Sequence, residues 1–326
     1  MELRTFTTDL TLACGRTLPQ ARLVYAVWGR LNEAGDNLVL FPTRFGGTHE
    51  QNAWAVGPGK ALDPARWCVV VPNMLGNGVS TSPSTAEHPQ DGLRFPVVTH
   101  ADNVALQRAM LDADFGGADI ALAFGWSMGA QQGYRWAATH PERVKRLFAL
   151  CGTARTSPHN RVFLESLLAA LEADPRYRAG ARPVGGLRAM GRIYAGWAYS
   201  QPWLKAERFR AMGYASLDDW LIRYWDALFE RRDAGDLTAM LRTWIANDVA
   251  DGGDLAVALG RITARTLVST TSTDLYFTEA DCRAEAAMIP GARYATLESD
   301  WGHMAGSGQN PEDAATIDAM LRSLLD

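Results

Sequence analysis

Short apolar runs alternate with amphipathic stretches along most of this chain. The runs are rich in Val, Ile and Leu, as buried strands are, and they lie at 23–28, 38–41, 68–71, 120–124, 147–151 and 266–269. The stretches between them have helical spacing, which is clearest at 103–112, 131–139, 280–288 and 311–325. This alternation predicts an α/β protein whose mostly parallel central sheet is covered by helices on both faces.

The rhythm changes between residue 157 and about residue 250. No strand-like run occurs there, and successive helical patterns carry many aromatic residues. We interpret 157–250 as an inserted helical cap, between a first core part at 1–156 and a second at 251–326. A cap over a reactive centre lines its entrance with part of its apolar face, and Tyr199 is our candidate there for a substrate contact.

A glycine-flanked serine stands between a predicted strand and a predicted helix. The motif that follows the 120–124 run is Gly125-Trp126-Ser127-Met128-Gly129. A serine in this position requires a sharp turn, which glycines permit because they have no Cβ. The G-x-S-x-G layout therefore predicts a nucleophile elbow, with the Ser127 hydroxyl projecting at the sheet edge. The Met128 N–H is then placed to stabilise an oxyanion, and Trp126 to contact substrate.

A nucleophilic serine needs a base within hydrogen-bond reach and an acid that orients the base. Asp274 lies in the loop after the 266–269 run, and His303 lies in a glycine-flanked loop before the final helix. The chain order serine, acid, histidine is the order of the α/β-hydrolase fold. Asp300 is the alternative acid, but its closeness to His303 in one loop makes the required reach harder. The remaining histidines have simpler explanations. His88 lies in a polar loop and His100 and His140 lie at helix ends, whereas His49 and His159 lie near expected pocket edges.

A second oxyanion donor is expected from the loop after the 38–41 run. This loop has the sequence Pro42-Thr43-Arg44-Phe45-Gly46-Gly47. Two preorganised N–H groups are needed for the developing negative charge, and we choose the Arg44 N–H to accompany that of Met128. Thr43 and Phe45 remain open as alternatives, as does a plain connecting loop.

Composition excludes several classes of partner. The 326 residues carry a formal net charge of -4, so no basic excess is available to neutralise a nucleic-acid backbone. No stretch has the length of a membrane span or the apolar core of a signal peptide, so we expect a cytoplasmic location. The four cysteines form no C-x-x-C pair and no H-E-x-x-H motif occurs, so no metal site is expected.

Three segments carry a family resemblance: GWSMGAQQ at 125–132, CGTARTSPHN at 151–160 and VGPGKALD at 56–63. With them the chain resembles the homoserine O-acetyltransferase family of α/β-hydrolase-fold proteins over nearly its whole length. The resemblance implies an acyl-enzyme on Ser127, a tunnel beneath the cap and a homodimer formed through cap helices. It also implies that acetyl-CoA can serve as an acyl donor, with no bound cofactor, and that Arg192 falls close to the family's carboxylate-binding arginine.

One departure from the family bears on the substrate. Met304 follows His303, where the family typically has an aspartate that holds the substrate amine. An ammonium without a carboxylate partner would be buried unpaired, at a cost on the order of several kcal/mol. We therefore predict a serine enzyme that cleaves or transfers a small acyl group, with hydrolysis favoured over O-acyl transfer. The alternative from another class is a non-catalytic receptor that binds a small ligand on the same fold.

Overall fold

The computed structural model describes residues 1–86 and 95–326. Its strands are β1 Glu2–Thr11, β2 Thr17–Trp28, β3 Leu38–Leu40, β4 Cys68–Pro72, β5 Ile120–Trp126, β6 Arg146–Leu150, β7 Arg265–Thr271 and β8 Arg293–Leu297. They form one sheet of eight strands in the order β1-β2-β4-β3-β5-β6-β7-β8. Pairing is antiparallel from β1 through β2 to β4 and parallel from β4 to β8, so the predicted mostly parallel sheet is confirmed.

The predicted apolar runs correspond to β2 through β7. Every residue of β3, β4 and β5 is buried, as expected for strands covered on both faces by helices. The two edge strands, β1 and β8, were not among the predicted runs. Most residues of β1 are exposed or partly exposed, because this strand forms the outer edge of an antiparallel hairpin and has no need of a continuous apolar sequence.

Helices cover the sheet and fill the connection between β6 and β7. Their bounds are α1 His100–Asp114, α2 Met128–Thr139, α3 Pro158–Glu172, α4 Pro175–Arg178, α5 Val184–Ala198, α6 Gln201–Lys205, α7 Leu217–Trp220, α8 Ala227–Glu230, α9 Ala234–Ile245, α10 Leu255–Leu259, α11 Glu279–Ala286 and α12 Pro311–Leu325. Shorter helical segments are the 3-10 helices His49–Ala55, Arg208–Arg210 and Gly302–Ser307 and a π-helical segment at Leu221–Asp226. The helices predicted at 103–112, 131–139, 280–288 and 311–325 correspond to α1, α2, α11 and α12.

A run of helices without a strand, α3 to α9, forms an insertion after β6. At its base Arg155 pairs with Asp248 in an isolated antiparallel bridge, and Arg155 Nε donates to Asp248 Oδ1 at 2.9 Å. Aromatic rings join the insertion to the loop after β7, since the ring centroids of Phe163 and Tyr276 are 4.8 Å apart and Trp244 stacks on Phe277. The division into 1–156, 157–250 and 251–326 stays a prediction that this element order accommodates.

None of the helices within residues 1–86 and 95–326 combines the length and the apolar character that a bilayer crossing requires. The homodimer through the cap helices and the cytoplasmic location stay predictions.

His100 joins the first two helices in the core. The residue is buried at the start of α1, and its Nε2 lies 3.0 Å from Gln131 Oε1 on α2. Burial lowers the pKa of His100 from its ordinary 6.5 to about 4, so the folded state favours the neutral imidazole. Because the pKa of this group is lower in the folded state than in the unfolded state, its contribution to stability is complete above about pH 6.5 and is lost as the pH falls towards 4.

Protonation of His100 is expected to lower the free energy of unfolding by about 3 kcal/mol as the pH falls from above 6.5 to below 4. Urea unfolding at a series of pH values measures the slope, and His100→Gln should flatten it. His159→Gln, at an exposed histidine, serves as the control and should keep the slope of the parent protein. An unchanged acid slope in His100→Gln would contradict the assignment.

Candidate active site

Ser127 lies at a forced turn between β5 and α2. Its backbone has φ 61° and ψ -128°, a conformation that costs free energy for any residue with a Cβ. The turn is held because the Ser127 N–H donates to Leu150 O at 3.0 Å and because strand and helix cross closely. A Cβ on Gly125 would lie 2.2 Å from the carbonyl carbon of Gly129, so the crossing requires glycine. The structure therefore has the geometry expected of a nucleophile elbow.

Asp274 and His303 are brought together from loops 29 positions apart. His303 Nδ1 lies 2.7 Å from Asp274 Oδ2, and both side chains are buried. The other carboxylate oxygen, Oδ1, accepts backbone N–H bonds from Tyr276 at 2.8 Å and Phe277 at 3.1 Å. These bonds fix the carboxylate, which holds the proton of the imidazole on Nδ1 and leaves Nε2 as the acceptor.

Polar bonds and ring contacts fix the loop that carries His303. Thr271 Oγ1 donates to Gly302 O at 2.9 Å, and the Gly302 N–H donates to Thr273 Oγ1 at 3.1 Å. The imidazole stacks on Trp126 with a centroid distance of 5.0 Å. The His303 imidazole is therefore positioned by the end of β7, by the loop after it and by the elbow.

A cavity of about 210 Å³ opens onto Ser127 and His303, which both line it. Its walls are largely aromatic and include Phe45, Trp126, Tyr194, Tyr224, Trp225 and Phe229. Within the described residues no hydrogen bond of 3.5 Å or less joins Ser127 Oγ to His303. Catalytic contacts of this kind often tighten only when substrate binds. Residues of the insertion thus form one wall of a small, largely aromatic pocket over the elbow.

The loop after β3 lies beside the elbow, where a second oxyanion donor was predicted. The loop passes very close to the first turn of α2. A Cβ on Gly129 would lie only 2.5 Å from the carbonyl oxygen of Pro42, so the approach requires glycine. The Thr43 N–H already makes a backbone bond of 3.1 Å. The N–H groups of Arg44, Phe45 and Met128 have no acceptor within residues 1–86 and 95–326. Arg44 and Phe45 thus remain as partners for Met128, and Thr43 does not.

Two predicted substrate contacts lie away from the cavity. Arg192 is on α5 with its side chain 52% exposed, and its guanidinium binds both carboxylate oxygens of Asp226 at 2.7 and 3.0 Å. Tyr199 is buried among aromatic rings and donates its hydroxyl to Gln309 Oε1 at 3.0 Å. Because Gln309 lines the cavity, Tyr199 supports the wall from behind rather than facing a ligand. Trp126, the third predicted substrate contact, lines the cavity, as does Arg44, whose N–H is the predicted oxyanion donor.

The alternative acid and histidines have other partners. Asp300 forms an ion pair with Arg208 and not with His303. His49 contacts Asn73, and the remaining histidines divide as follows: His100 is bound to Gln131, His140 and His159 pack against tryptophans, and His88 lies outside the described residues.

Cys151 is a neighbour of the pair that sequence reasoning missed. A ligand atom from each of Cys151, Asp274 and His303 lies within 4.8 Å of the other two. Burial raises the pKa of the Cys151 thiol, which disfavours the thiolate that a metal ion or a nucleophilic role requires. The histidine and the carboxylate also bond each other, so the cluster fits a proton-holding role better than a metal centre.

Comparison with known proteins agrees with this geometry. Residues 36–306 match the alpha/beta hydrolase fold family. The chain is 37% identical to ethyl acetate hydrolase of Pseudomonas veronii, over 97% of this chain and 93% of that protein. It is 35% identical to homoserine O-acetyltransferase of Thermobifida fusca, over 90% of this chain and 86% of that protein. The structure of the acetyl esterase MekB has a TM-score of 0.96 and 36% identity, over 100% of this chain and 97% of that one. The chain therefore belongs to the α/β-hydrolase family, and its relatives include both esterases and homoserine O-acetyltransferases.

Proposed function

We propose that this chain is a serine esterase that hydrolyses small acyl esters through an acyl-enzyme on Ser127. The observation that carries the proposal is the 2.7 Å contact between His303 Nδ1 and Asp274 Oδ2 beside a cavity that Ser127 also lines. Relatives named ethyl acetate hydrolase and acetyl esterase, which match nearly the whole chain, support the same reaction.

The proposed residues divide the chemistry between them. Ser127 Oγ attacks the ester carbonyl while His303 Nε2 takes its proton, and Asp274 stabilises the imidazolium that forms. The oxyanion is bound by the N–H groups of Met128 and Arg44. The alcohol leaves with the proton from His303, and water, activated by the same base, then attacks the acyl-enzyme. The acid product departs and the serine recovers its proton.

The lining of the cavity favours water over an amino-acid acceptor. A transferase has to bind its acceptor alcohol and keep water out. Met304, the residue that follows His303 in the sequence, lines the cavity. No Asp or Glu is among the described lining residues. An acceptor ammonium would thus be desolvated without a counter-charge. Hydrolysis is therefore the proposed outcome, and O-acyl transfer from acetyl-CoA is the alternative that the family relationship supports.

One assay separates the candidate functions. The purified protein is incubated with ethyl acetate and, separately, with acetyl-CoA and homoserine, and both acetate and O-acetylhomoserine are measured. We expect acetate release from ethyl acetate to be the faster reaction. Dominant formation of O-acetylhomoserine would instead identify an O-acyltransferase. A folded protein that does neither and whose Ser127 does not react with a fluorophosphonate would identify a ligand receptor.

Ester hydrolysis should slow in acid. Only neutral imidazole can accept the Ser127 proton, so protonation of His303 removes the base. We expect kcat/KM to fall as the solution is made more acidic, and to approach a tenfold loss for each pH unit once the base is mostly protonated. Circular dichroism at each pH separates this loss from unfolding. A flat profile for a folded protein would rule out His303 as the base.

A further inference from the structure

Two arginines face the active-site cavity without an acidic partner. Arg44 and Arg232 both line it, and no Asp or Glu is among its described lining residues. Neither guanidinium forms an ion pair within residues 1–86 and 95–326. The wall of the cavity that Ser127 lines therefore carries two positive charges.

Both guanidiniums lie against adjacent glycines of the loop after β3. A Cβ on Gly47 would lie 3.1 Å from Arg44 Nη1, and a Cβ on Gly46 would lie 3.4 Å from Arg232 Nη1. Side chains at these positions would crowd both arginines, so the Gly46-Gly47 pair makes room for them. Arg44 Cζ also lies 4.5 Å from the ring centroid of Trp126, the residue before Ser127. The positive charge thus lies within the reach of one small molecule that also contacts Ser127.

The hydrogen-bonding capacity of this pair is largely unused. Arg44 Nη1 donates to Phe45 O at 3.1 Å, but its buried Nε has no partner. The Arg232 guanidinium has no hydrogen bond within the described residues. Burial lowers the pKa of Arg44 to about 10, and repulsion by Arg232 adds to the shift. Burial likewise lowers the pKa of Arg232. Two like charges that are partly desolvated and unpaired cost stability, and a bound anion would remove that cost.

We propose that this cavity selects esters that also carry a carboxylate, which Arg44 and Arg232 bind while Ser127 attacks the ester carbonyl. The inference rests on the proposed esterase function and names its substrate class. A planar guanidinium fork matches a carboxylate with two N–H donors, as a neutral ester end cannot. The wall offers no counter-charge for an ammonium, so the class is an acylated hydroxy acid or a half-ester of a diacid, and not an amino acid such as homoserine.

The size of the cavity favours a carboxylate over the phosphates of a CoA thioester. The volume of about 210 Å³ holds a small molecule whose charge and ester bond lie close together. In a CoA thioester, the phosphates lie at the far end of the pantetheine arm from the reacting carbonyl. Acetyl-CoA therefore enters the test below as the comparison anion.

Matched neutral and anionic esters test the inference. The first pair is 4-acetoxybutanoate and its amide, with the charge on the alcohol side. The second is monomethyl glutarate and its amide, with the charge on the acyl side. Charge-assisted hydrogen bonds contribute about 1.5–3 kcal/mol, so kcat/KM should be about 10- to 100-fold higher for the anion in one of the two pairs. Equal rates within both pairs, or a higher rate with acetyl-CoA than with either anion, would overturn the inference.

Variants assign the preference to the two arginines. Arg232→Gln should bring the ratio of anionic to neutral kcat/KM close to one, and Arg44→Gln, which keeps its backbone N–H, should lower it as well. Arg231→Gln, which removes the exposed guanidinium of the neighbouring residue, is the control. It should keep the anionic-to-neutral kcat/KM ratio of the parent protein. A ratio that survives both Arg232→Gln and Arg44→Gln would show that other groups select the substrate.

A binding measurement separates this inference from the esterase proposal. Ser127→Ala does not turn over, so calorimetry can compare 4-acetoxybutanoate and monomethyl glutarate with their amides as ligands. We expect one of the anions to bind at least about tenfold more tightly than its amide. This preference in Ser127→Ala, with no hydrolysis by the parent protein, would support the anion site and reject the esterase. Hydrolysis by the parent protein with equal binding within both pairs would reject the anion site and leave the esterase.

Discussion

Ser127→Ala is expected to lower kcat/KM for ethyl acetate by about a millionfold, to the residual rate that binding and the oxyanion donors supply. The substitution removes the attacking oxygen and changes little else, because the Ser127 N–H bond to Leu150 O is a backbone bond. The melting temperature should therefore stay close to that of the parent protein. Steady-state kinetics and a thermal melt measure the two effects.

Ser323→Ala, at an exposed serine of α12, is the matched control for this variant and should keep the parent rate. A Ser127→Ala protein that keeps more than about one-hundredth of the parent activity would require another nucleophile. The buried thiol of Cys151 would then be the first residue to examine.

Asp274→Asn is expected to reduce kcat by about ten-thousandfold, with little effect on KM. The carboxylate accepts the Nδ1 proton of His303 at 2.7 Å, whereas an amide can present an N–H there and favour the wrong tautomer. The amide oxygen can still accept the N–H bonds of Tyr276 and Phe277, so the loop should keep its shape. Steady-state kinetics on an ester substrate measure the loss.

Asp300→Asn provides the comparison for the acid. Asp300 pairs with Arg208, so its replacement should change kcat less than about tenfold, as exposed ion pairs contribute little. A large loss in Asp300→Asn together with a small loss in Asp274→Asn would move the orienting role to Asp300.

The apolar pattern predicts the interior strands well because they are buried on both faces. β3, β4 and β5 contain no exposed residue, so their sequences are continuous apolar runs. β1 escapes the same reasoning, because its edge position lets threonines and charged residues alternate along it. The apolar pattern therefore identifies strands that are buried on both faces. It misses an edge strand, which is held by hydrogen bonds to a single neighbouring strand and can have a polar sequence.

The candidate site divides in a similar way. Ser127 and His303 lie in turns that need glycine, so flanking glycines make both positions recognisable in the sequence. Arg192 has no such local motif, and its pairing with Asp226 depends on how α5 packs against the π-helical segment. Arg232 follows Arg231 in a polar stretch typical of an exposed turn. Only the packing of the insertion over Gly46 shows that the second arginine faces the cavity and the first does not.

Covalent labelling of the folded protein with a fluorophosphonate, followed by digestion and mass spectrometry, tests the proposed nucleophile most directly. We predict one label per chain, on the peptide that contains Ser127, with ester hydrolysis lost in proportion to labelling. The same treatment of Ser127→Ala should give no label. A label on any other residue, or full inhibition with an unmodified Ser127 peptide, would contradict the proposed mechanism.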